Sequence, residues 1–253
     1  MTDRPAALVT GGARRLGAAI ARDLAAAGFA VAIHHHHSGD EADALASDIR
    51  GEGGVAKTYA GDLTDAAATA ALVPAVAAQL GPVRLLVNNA SLFLPDGLAD
   101  FTTDIFDAHV AMHVKAPSLL ARAMAAGLPD GAYGLIVNMI DQRVLAPNPR
   151  FYSYTLSKAA LAMATKTMAQ SLAPRIRVNG IGPGPSLPNE RQSQADFDRQ
   201  VDGLILKRGP APEEFGATIR WLWAAPSVTG QMIALDGGQH LGWETPDVAG
   251  IAE

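Results

Sequence analysis

Tyr154 and Lys158 form the pair of side chains whose types and spacing best suit proton-transfer chemistry. Residues four apart on a helix project from the same face, and both lie in a segment that is predicted to be helical. A tyrosine hydroxyl has a pKa of about 10, so we expect Lys158 to supply the charge that lets Tyr154 act as an acid at neutral pH. The same spacing is common on exposed helices without a catalytic role, so the pair needs support from elsewhere in the chain.

Asp141 gives that support. It stands thirteen residues before Tyr154, where a predicted apolar strand ends. Ligands bind beyond the carboxyl ends of strands in open α/β sheets, which makes an ordinary surface carboxylate the weaker interpretation of Asp141. A carboxylate at this place can accept hydrogen bonds from a substrate and relay a proton to it. We therefore predict a catalytic group of Asp141, Tyr154 and Lys158.

A glycine-rich turn, Thr10–Gly17, follows the first predicted strand and leads into a helix. Glycines such as Gly11 and Gly17 let the backbone approach a pyrophosphate, and the helix N-terminus offers free N–H groups and a positive dipole end. Arg14 and Arg15 add positive charge to the same loop. A tight strand–helix turn without a ligand would also need glycines, but the position after the first strand favours dinucleotide binding.

The second predicted strand ends in His34-His35-His36-His37-Ser38, with no carboxylate before Asp40. An acidic residue there would bind the adenosine ribose and repel a 2′-phosphate, whereas imidazole and hydroxyl groups suit a phosphate. The pattern favours NADP(H). The histidine run is internal, unlike an affinity tag, and neighbouring strand residues face opposite ways, so we predict no metal site.

The elements that must position these residues alternate between short apolar runs and longer helical patterns. The predicted strands are Ala6–Val9, Phe29–Ile33, Val55–Ala60, Arg84–Val87, Leu135–Met139, Ile176–Val178 and Met232–Leu235. The predicted helices are Arg15–Ala27, Asp40–Arg50, a segment capped by Thr64 or Asp65 that ends at Leu80, Thr103–Ala126, Tyr152–Leu172 and Glu213–Ala224. This alternation predicts an α/β fold: a single Rossmann-type, doubly wound domain whose seven-stranded, mostly parallel sheet has helices on both faces.

No repeat or low-complexity linker divides the 253 residues, so we expect one domain over 1–253. Residues 1–140 would form the cofactor half, and residues 141–253 the catalytic helix, the substrate loop and the tail. The proline- and glycine-rich stretch Gly180–Pro188 is predicted to be a loop, followed by a mobile polar segment from Asn189 to Asp202.

Composition excludes several functional classes. The formal net charge of -5 argues against nucleic acid or an anionic membrane as the main partner. Cysteine is absent from the sequence, which excludes disulfides, thiolate metal sites and thiol nucleophiles. Apolar stretches such as Ala70–Ala78 are too short to span a bilayer, and the N-terminus runs into a strand without an apolar signal segment. We expect a cytoplasmic protein.

Together these motifs resemble the short-chain dehydrogenase/reductase family, over a stretch from about Leu8 to Leu241. Besides the glycine-rich loop and Tyr154-x-x-x-Lys158, the resemblance rests on Asp62-Leu63, Asn88-Asn89-Ala90-Ser91, Arg177-Val178-Asn179 and Gly182-Pro183-Gly184. The family usually has glycine in place of Arg15 and serine in place of Asp141. In these two respects the chain is similar to the pteridine reductases and dihydromonapterin reductases. Pteridine reductases also carry a His/Ser-rich second strand end, usually with arginine in place of His37.

The resemblance implies a role for each matching position. Cofactor binding falls to Gly11, Arg14, Arg15, Leu16, Gly17, His36, His37, Ser38, Asp62, Leu63, Asn89, Ala90, Ser91, Tyr154, Lys158, Pro183, Gly184 and Ser186. Substrate binding falls to Arg15, Ser91, Phe93, Asp141 and Tyr154, with Phe93 stacking on a flat ring unless it is a core residue. His113 stands where much of the family has asparagine; it either supports the catalytic residues from behind or is a hydrogen-bonded helix histidine.

The function implied is hydride transfer from NADPH to a dihydropterin, similar to dihydromonapterin or dihydrobiopterin, or to dihydrofolate. A carbonyl or 3-oxoacyl reductase of the same family is the main alternative. A non-catalytic NADP-binding regulator is a lesser one, since it would be expected to have lost Tyr154 or Lys158. The resemblance also implies a homotetramer, with Thr103–Ala126 and Tyr152–Leu172 packing between subunits and the tail Leu241–Glu253, with Trp243, packing across an interface.

Overall fold

The computed structural model describes residues 4–188, 191–245 and 249 of the chain. Seven strands form one parallel sheet in the order β3-β2-β1-β4-β5-β6-β7. The strands are β1 Ala6–Val9, β2 Ala30–His35, β3 Val55–Ala60, β4 Val83–Asn88, β5 Gly134–Met139, β6 Ile176–Pro183 and β7 Met232–Leu235. The order reverses between β1 and β4, which confirms the predicted doubly wound α/β fold.

Helices cover both faces of the sheet. They are α1 Arg15–Ala26, α2 Gly39–Gly51, α3 Ala66–Leu80, α4 Thr103–Val110, α5 Ala116–Gly127, α6 Tyr152–Leu172, α7 Gln194–Asp202 and α8 Pro212–Ala224. One face packs against α1, α2 and α8, and the other against α3, α5 and α6. Successive strand residues alternate between these two cores, so that Val9 belongs to the first and Leu8 to the second. Within the described residues, no helix has the length and apolar character needed to cross a membrane.

Most predicted elements agree with the structure to within a few residues, but β6 is longer than expected. The sequence predicts a strand that ends at Val178 and a loop from Gly180 onward. In the structure β6 continues to Pro183, because Gly180–Pro183 pairs in register with β7. The partner strand lies about fifty residues further along the chain, so a local pattern could not reveal it.

The predicted helix Thr103–Ala126 consists of three pieces. Between α4 and α5 the backbone forms a π-helical turn, Ala111–Lys115. Such a turn inserts one extra residue into the helical repeat, and turns of this kind are frequent at functional sites. His113 lies at the centre of the turn and is buried.

The segment predicted to be mobile, Asn189–Asp202, contains a helix. Residues 189 and 190 lie outside the described residues, but α7 occupies Gln194–Asp202. Ser193 caps it by accepting a hydrogen bond from the Asp196 amide, and the side chains of Arg199 and Gln194 pair with acidic residues of the same helix. None of its residues is fully buried and most are polar, so the segment has too few apolar residues for periodicity to predict a helix.

A buried histidine joins the loop after β1 to the end of β3. His34 is 2% exposed, and the Gly11 amide donates to its Nδ1 at 3.2 Å. Since Nδ1 accepts, Nε2 carries the hydrogen and donates to the Gly61 carbonyl at 3.1 Å. Burial lowers the pKa of His34 to about 4, so the ring is neutral at neutral pH.

The free energy of unfolding should therefore fall as the pH is lowered from 7 to 5. The unfolded chain protonates His34 near pH 6.5 and the folded chain only near pH 4. Between these values the unfolded state binds more protons, and acid favours it. For His34 alone the expected loss between pH 7 and 5 is about 2 kcal/mol. Urea unfolding at the two pH values measures it. His34→Gln keeps an acceptor for Gly11 without titrating and should lessen the loss; an equal loss in the variant would contradict the assignment.

Candidate active site

A cavity of about 950 Å³ opens at the carboxyl ends of β1, β2, β4, β5 and β6, across the point where the strand order reverses. Open α/β sheets bind their ligands at this point. The predicted site residues that line it are Gly11, Arg14, Arg15, Leu16, Gly17, His36, His37, Ser38, Leu63, Asn89, Ala90, Ser91, Phe93, Asp141, Tyr154, Lys158, Pro183, Gly184 and Ser186. Asp62 is not among them; its carboxylate accepts hydrogen bonds from the amide and hydroxyl of Thr64 instead.

Thr10 and Asn89 fasten the loops after β1 and β4 to each other. The Thr10 hydroxyl oxygen accepts from the amides of Asn89 and Ala90 at 2.9 and 3.0 Å. In return, Asn89 Nδ2 donates to the carbonyls of Thr10 and Gly11 at 2.9 and 3.0 Å. The two loops therefore form one unit at the reversal of the strand order.

The glycine-rich loop has a backbone that few residues other than glycine could adopt. Gly11 has φ +58°, and a Cβ atom on Gly17 would lie 2.1 Å from the Gly11 carbonyl oxygen. These positions draw the first turn of α1 against the cavity, and among the described residues no side chain caps that turn. A helix N-terminus together with Arg14 and Arg15 suits an anion such as a pyrophosphate.

Arg15 bridges this loop to the loop after β6. Its Nη2 donates to the carbonyls of Leu187 and Pro188 at 3.3 and 2.9 Å. Its own backbone has φ +53°, the left-handed region that glycine adopts freely and other residues rarely enter. The family that this chain resembles usually has glycine at this position, and glycine would adopt this backbone conformation without strain. Here the arginine side chain makes the bridge at the cost of that strain.

Beyond the end of β2, His36 and His37 line the cavity together with Ser38. The two imidazole rings lie against each other with their centroids 3.6 Å apart and their planes tilted by 32°. The expectation that neighbouring histidines face opposite ways is wrong for this pair, because it applies only within a strand and β2 ends at His35. In the described part of the chain no group of three or more side chains could hold a metal ion. These side chains instead supply hydrogen-bonding groups to one end of the cavity.

Tyr154 and Asp141 are hydrogen-bonded to each other in the opposite wall. The Tyr154 hydroxyl donates to Asp141 Oδ2 at 2.7 Å, and Tyr154 is only 6% exposed. Burial, followed by the Asp141 carboxylate, raises the pKa of Tyr154 well above its usual value. The Arg143 cation and a hydrogen bond with Ser91 act in the opposite direction, and burial outweighs them. The effect of Lys158 on the acidity of this tyrosine stays a prediction.

Lys158 lies behind this pair, at the end of β5. Its ammonium donates to the Met139 carbonyl at 2.7 Å and stands 5.6 Å from the centroid of the Tyr154 ring. Burial lowers the pKa of Lys158 to about 8, although the Asp141 carboxylate acts in the opposite direction. An ammonium has three N–H donors, so Lys158 can bind a ligand in the cavity while it keeps the bond to Met139.

Three residues that the sequence analysis did not predict surround Phe93: Phe151, Arg143 and Arg191, whose guanidinium lies 5.2 Å from the Phe93 centroid. Phe151 stacks on Phe93, with ring centroids 4.1 Å apart and planes at 14°, while the Arg143 guanidinium lies 5.2 Å from the Phe93 centroid. Arg143 Nη1 is also 3.4 Å from Asp141 Oδ2. Phe93 lines the cavity rather than the core, and its edge contact with the Tyr154 ring, at 4.7 Å, places an aromatic surface beside the hydrogen-bonded pair.

Further lining residues went unpredicted. They include His34, Leu92, Met112, Met139, Ile140, Gln142, Arg143, Pro185, Leu187, Gln192, Phe197, Gln200 and Gln239. The strand-end rule that singled out Asp141 could also have found its neighbours from Met139 to Arg143. Phe197 and Gln200 belong to α7, whose existence the polar composition concealed.

His113 was expected either to support the catalytic residues from behind or to be a hydrogen-bonded helix histidine, and its contacts agree with both. Its Nδ1 lies 2.8 Å from the Ser157 hydroxyl, so it is a hydrogen-bonded helix histidine. Its Nε2 lies 2.9 Å from the hydroxyl of Ser91, which lines the cavity, so it also supports the site from behind.

Comparison with known proteins places this geometry in a family. The model of the family described as short chain dehydrogenase matches residues 5–198. Pteridine reductase 1 of Leishmania tarentolae is 32% identical over 94% of this chain and 96% of its own length. The dihydromonapterin reductase of Klebsiella pneumoniae is 28% identical, over 92% of this chain and 96% of its own.

Two further matches bear on substrate type. A crystal structure of FolM alternative dihydrofolate reductase 1 from Brucella suis, in complex with NADP, is 54% identical with a TM-score of 0.95, and covers 98% of this chain and 100% of that one. A 3-oxoacyl-[acyl-carrier-protein] reductase of Synechocystis is 29% identical, over 92% of this chain and 95% of its own. Sequence identity to the curated relatives alone therefore does not separate pterin from ketone reductases.

Proposed function

Because this chain belongs to the short chain dehydrogenase family, we propose that it transfers hydride from NADPH to a dihydropterin. The chain is an oxidoreductase, and its cofactor is NADP(H). The observation that carries the substrate assignment is the hydrogen bond between Tyr154 and Asp141 at the cavity wall, where a carboxylate takes the place of a serine hydroxyl. The preferred substrate is a compound similar to dihydromonapterin or dihydrobiopterin, with dihydrofolate as a further candidate.

The donor set of the cavity fits a phosphorylated dinucleotide along its length. The N-terminus of α1 and Arg14 would hold the pyrophosphate. His36, His37 and Ser38 would hold the 2′-phosphate, and Lys158 the ribose next to the nicotinamide. When bound, the reduced cofactor supplies the hydride.

The protein's own task is to deliver a proton to the ring nitrogen next to the carbon that receives hydride. Loss of a proton from Tyr154 alone would leave a phenolate beside the Asp141 carboxylate, and the raised pKa of Tyr154 opposes this. Tyr154 can pass its hydroxyl proton to the substrate nitrogen if a nearby cation offsets the charge that remains. Arg143 is that cation: it lowers the pKa of Tyr154, and its Nη1 lies 3.4 Å from Asp141 Oδ2. Tyr154 regains its proton from water once the product has left.

A flat, nitrogen-rich ring suits the other groups of this wall. An ionised Asp141 accepts from ring N–H or amino groups, which a pterin has and a simple ketone lacks. Phe93 offers an aromatic surface next to Tyr154 for a planar heterocycle. The non-catalytic alternative has little support, because Tyr154 and Lys158 both line the cavity beside Asp141.

Asp141→Ser separates the pterin reductase from its closest alternative, a carbonyl or 3-oxoacyl reductase. Loss of the carboxylate leaves a substrate donor without its partner, so kcat/KM for dihydropterins should fall by roughly five- to a hundred-fold, equivalent to about 1–3 kcal/mol. The serine can still hydrogen-bond a carbonyl, so any ketone or quinone activity should hold or rise. Steady-state kinetics of NADPH oxidation with both substrate classes measure the ratio.

Tyr154→Phe is the matched control for that experiment. It keeps the ring and removes the proton donor, so turnover of every substrate should fall, by about 10²–10⁴-fold, while NADPH still binds. Unchanged dihydropterin reduction by Asp141→Ser, or a wild-type protein that reduces ketones but no pterin, would overturn the substrate assignment and leave the oxidoreductase assignment intact.

A second prediction concerns the choice of cofactor. NADPH should bind at least about tenfold more tightly than NADH, since hydrogen bonds to a charged phosphate are stronger than those to a hydroxyl. His37→Asp places a carboxylate at this end of the cavity and should reduce or reverse the preference, whereas His37→Gln should retain more of it. Fluorescence titration with both cofactors gives the dissociation constants. Equal affinities of the wild-type protein for NADPH and NADH would show that this end of the cavity does not bind the 2′-phosphate.

We also propose that the protein assembles as a cytoplasmic homotetramer. On α6, Leu156 and Met163 are two turns apart and 42% and 61% exposed, so the single chain leaves apolar side chains uncovered along this helix. Light scattering should therefore give four times the chain mass of 26.2 kDa. Replacing both residues by glutamate should lower the mass, and a monomeric wild-type protein would refute the assembly.

A further inference from the structure

Two buried histidines, one helical turn apart, face the loop that follows β4. His109 lies in the last turn of α4 and His113 in the π-helical turn, and both are at most 1% exposed. The Leu94 amide donates to His109 Nε2 at 3.3 Å, and the Leu92 amide donates to His113 Nε2 at 3.2 Å. The two backbone amides on either side of Phe93 are thus each bound by an imidazole.

One tautomer satisfies every contact of the two rings. Since each Nε2 accepts, each Nδ1 must carry the hydrogen: His109 donates to the Ile105 carbonyl at 3.0 Å and His113 to the Ser157 hydroxyl at 2.8 Å. His113 Nε2 accepts two hydrogen bonds, one from the Leu92 amide and one from the Ser91 hydroxyl at 2.9 Å. The Ser157 hydroxyl in turn donates to the Tyr154 carbonyl at 2.7 Å, so its oxygen is free to accept. Both nitrogens of each ring are engaged, which leaves neither ring a site for carrying a proton to the substrate.

The surroundings keep both rings neutral. Burial is the largest cause that lowers the pKa of each, and the Lys158 ammonium lowers both further. Each ring also faces the other, and Asp96 is the carboxylate that acts in the opposite direction on His109. A neutral imidazole with a free lone pair at Nε2 is the form that can accept from a backbone amide.

The same two rings also enclose Tyr154. His113 meets the Tyr154 ring edge-on at 5.4 Å and 88°, and His109 does so at 6.0 Å and 77°. Phe93 contacts the ring from the loop at 4.7 Å and 72°. The loop and Tyr154 therefore contact the same two histidines, which fix the position of the loop relative to Tyr154.

We propose that His109 and His113 are positioning residues that hold the segment Ser91–Leu94 against Tyr154, and thereby fix Phe93 and Ser91 for the substrate ring. This segment is neither helix nor strand, so its amides have no secondary-structure partner. The nature of the substrate rests on the function proposed above, whereas the hold on the loop does not.

Amide hydrogen exchange tests the hold without reference to any substrate. In His109→Leu and His113→Leu the Leu94 or Leu92 amide loses its acceptor, and peptides spanning residues 91–95 should exchange about tenfold faster than in the wild-type protein. His109→Gln and His113→Gln retain a carbonyl acceptor and should restore much of the protection. Thr218→Ala, on α8 at the opposite face of the sheet, is the matched control and should leave these peptides unchanged. Equal exchange in the leucine variants would overturn the proposal.

Kinetic measurements then show whether the two histidines position the loop for the substrate or only stabilise the fold. The leucine variants should raise KM for the dihydropterin by about tenfold, with a smaller change in kcat and an unchanged dissociation constant for NADPH, and the glutamine variants should recover most of the loss. A lower melting temperature with unchanged KM would mean that the histidines only stabilise the fold. If the wild-type protein reduces no dihydropterin, the proposed function fails, and hydrogen exchange still decides the role of the histidines.

The wild-type protein offers a test that needs no folded variant. Two-bond ¹H–¹⁵N spectra of histidine-labelled protein should show His109 and His113 as neutral tautomers with the hydrogen on Nδ1 at pH 7. The glutamine variants assign the two signals. A hydrogen on Nε2 of either ring would remove the acceptor and overturn the proposal.

Discussion

The interlocked hydrogen bonds between Thr10 and Asn89 are the contact on which the rest of the site depends. They lie where the strand order reverses, so the crossovers diverge there and leave a gap between the loops after β1 and β4. Polar side chains close the base of this gap and satisfy backbone groups that would otherwise be unpaired. The glycine-rich loop on one side and the segment from Asn89 to Phe93 on the other therefore keep a constant separation, which defines the floor of the cavity.

Burial determines the chemistry of the opposite wall. Tyr154 and Lys158 both lie in a region of low dielectric constant, where any unpaired charge is costly. Burial therefore shifts the two pKa values in opposite directions, upward for the phenol and downward for the ammonium, and both shifts favour the uncharged forms. Asp141 connects Tyr154 with the cation of Arg143, so a proton can leave Tyr154 without creating an isolated charge.

The fold was largely predictable because its strands are short, apolar and separated by helices, and each signal is local to its own element. The candidate catalytic residues could be picked out for the same reason: Tyr154 and Lys158 share a helix, Asp141 marks the end of a strand, and all three line the cavity. What could not be predicted depends on partners distant in the chain. The extension of β6 requires β7, the role of His34 requires Gly11 and Gly61, and the stacking of Phe93 requires Phe151. The helix α7 was not predicted for another reason: most of its residues are polar, and its cap is a local hydrogen bond rather than a hydrophobic pattern.

The bridge made by Arg15 couples the two ends of the cavity. One guanidinium joins the loop that lines the phosphate end to the carbonyls of Leu187 and Pro188 in the loop after β6. A guanidinium has five N–H donors, so the bridge can persist when an anion also binds to it. A ligand that shifts this guanidinium at one end alters the position of the other loop, and thermodynamic reciprocity requires the second ligand to affect the first by the same factor. Through this one guanidinium, the affinity for either ligand then depends on whether the other is bound.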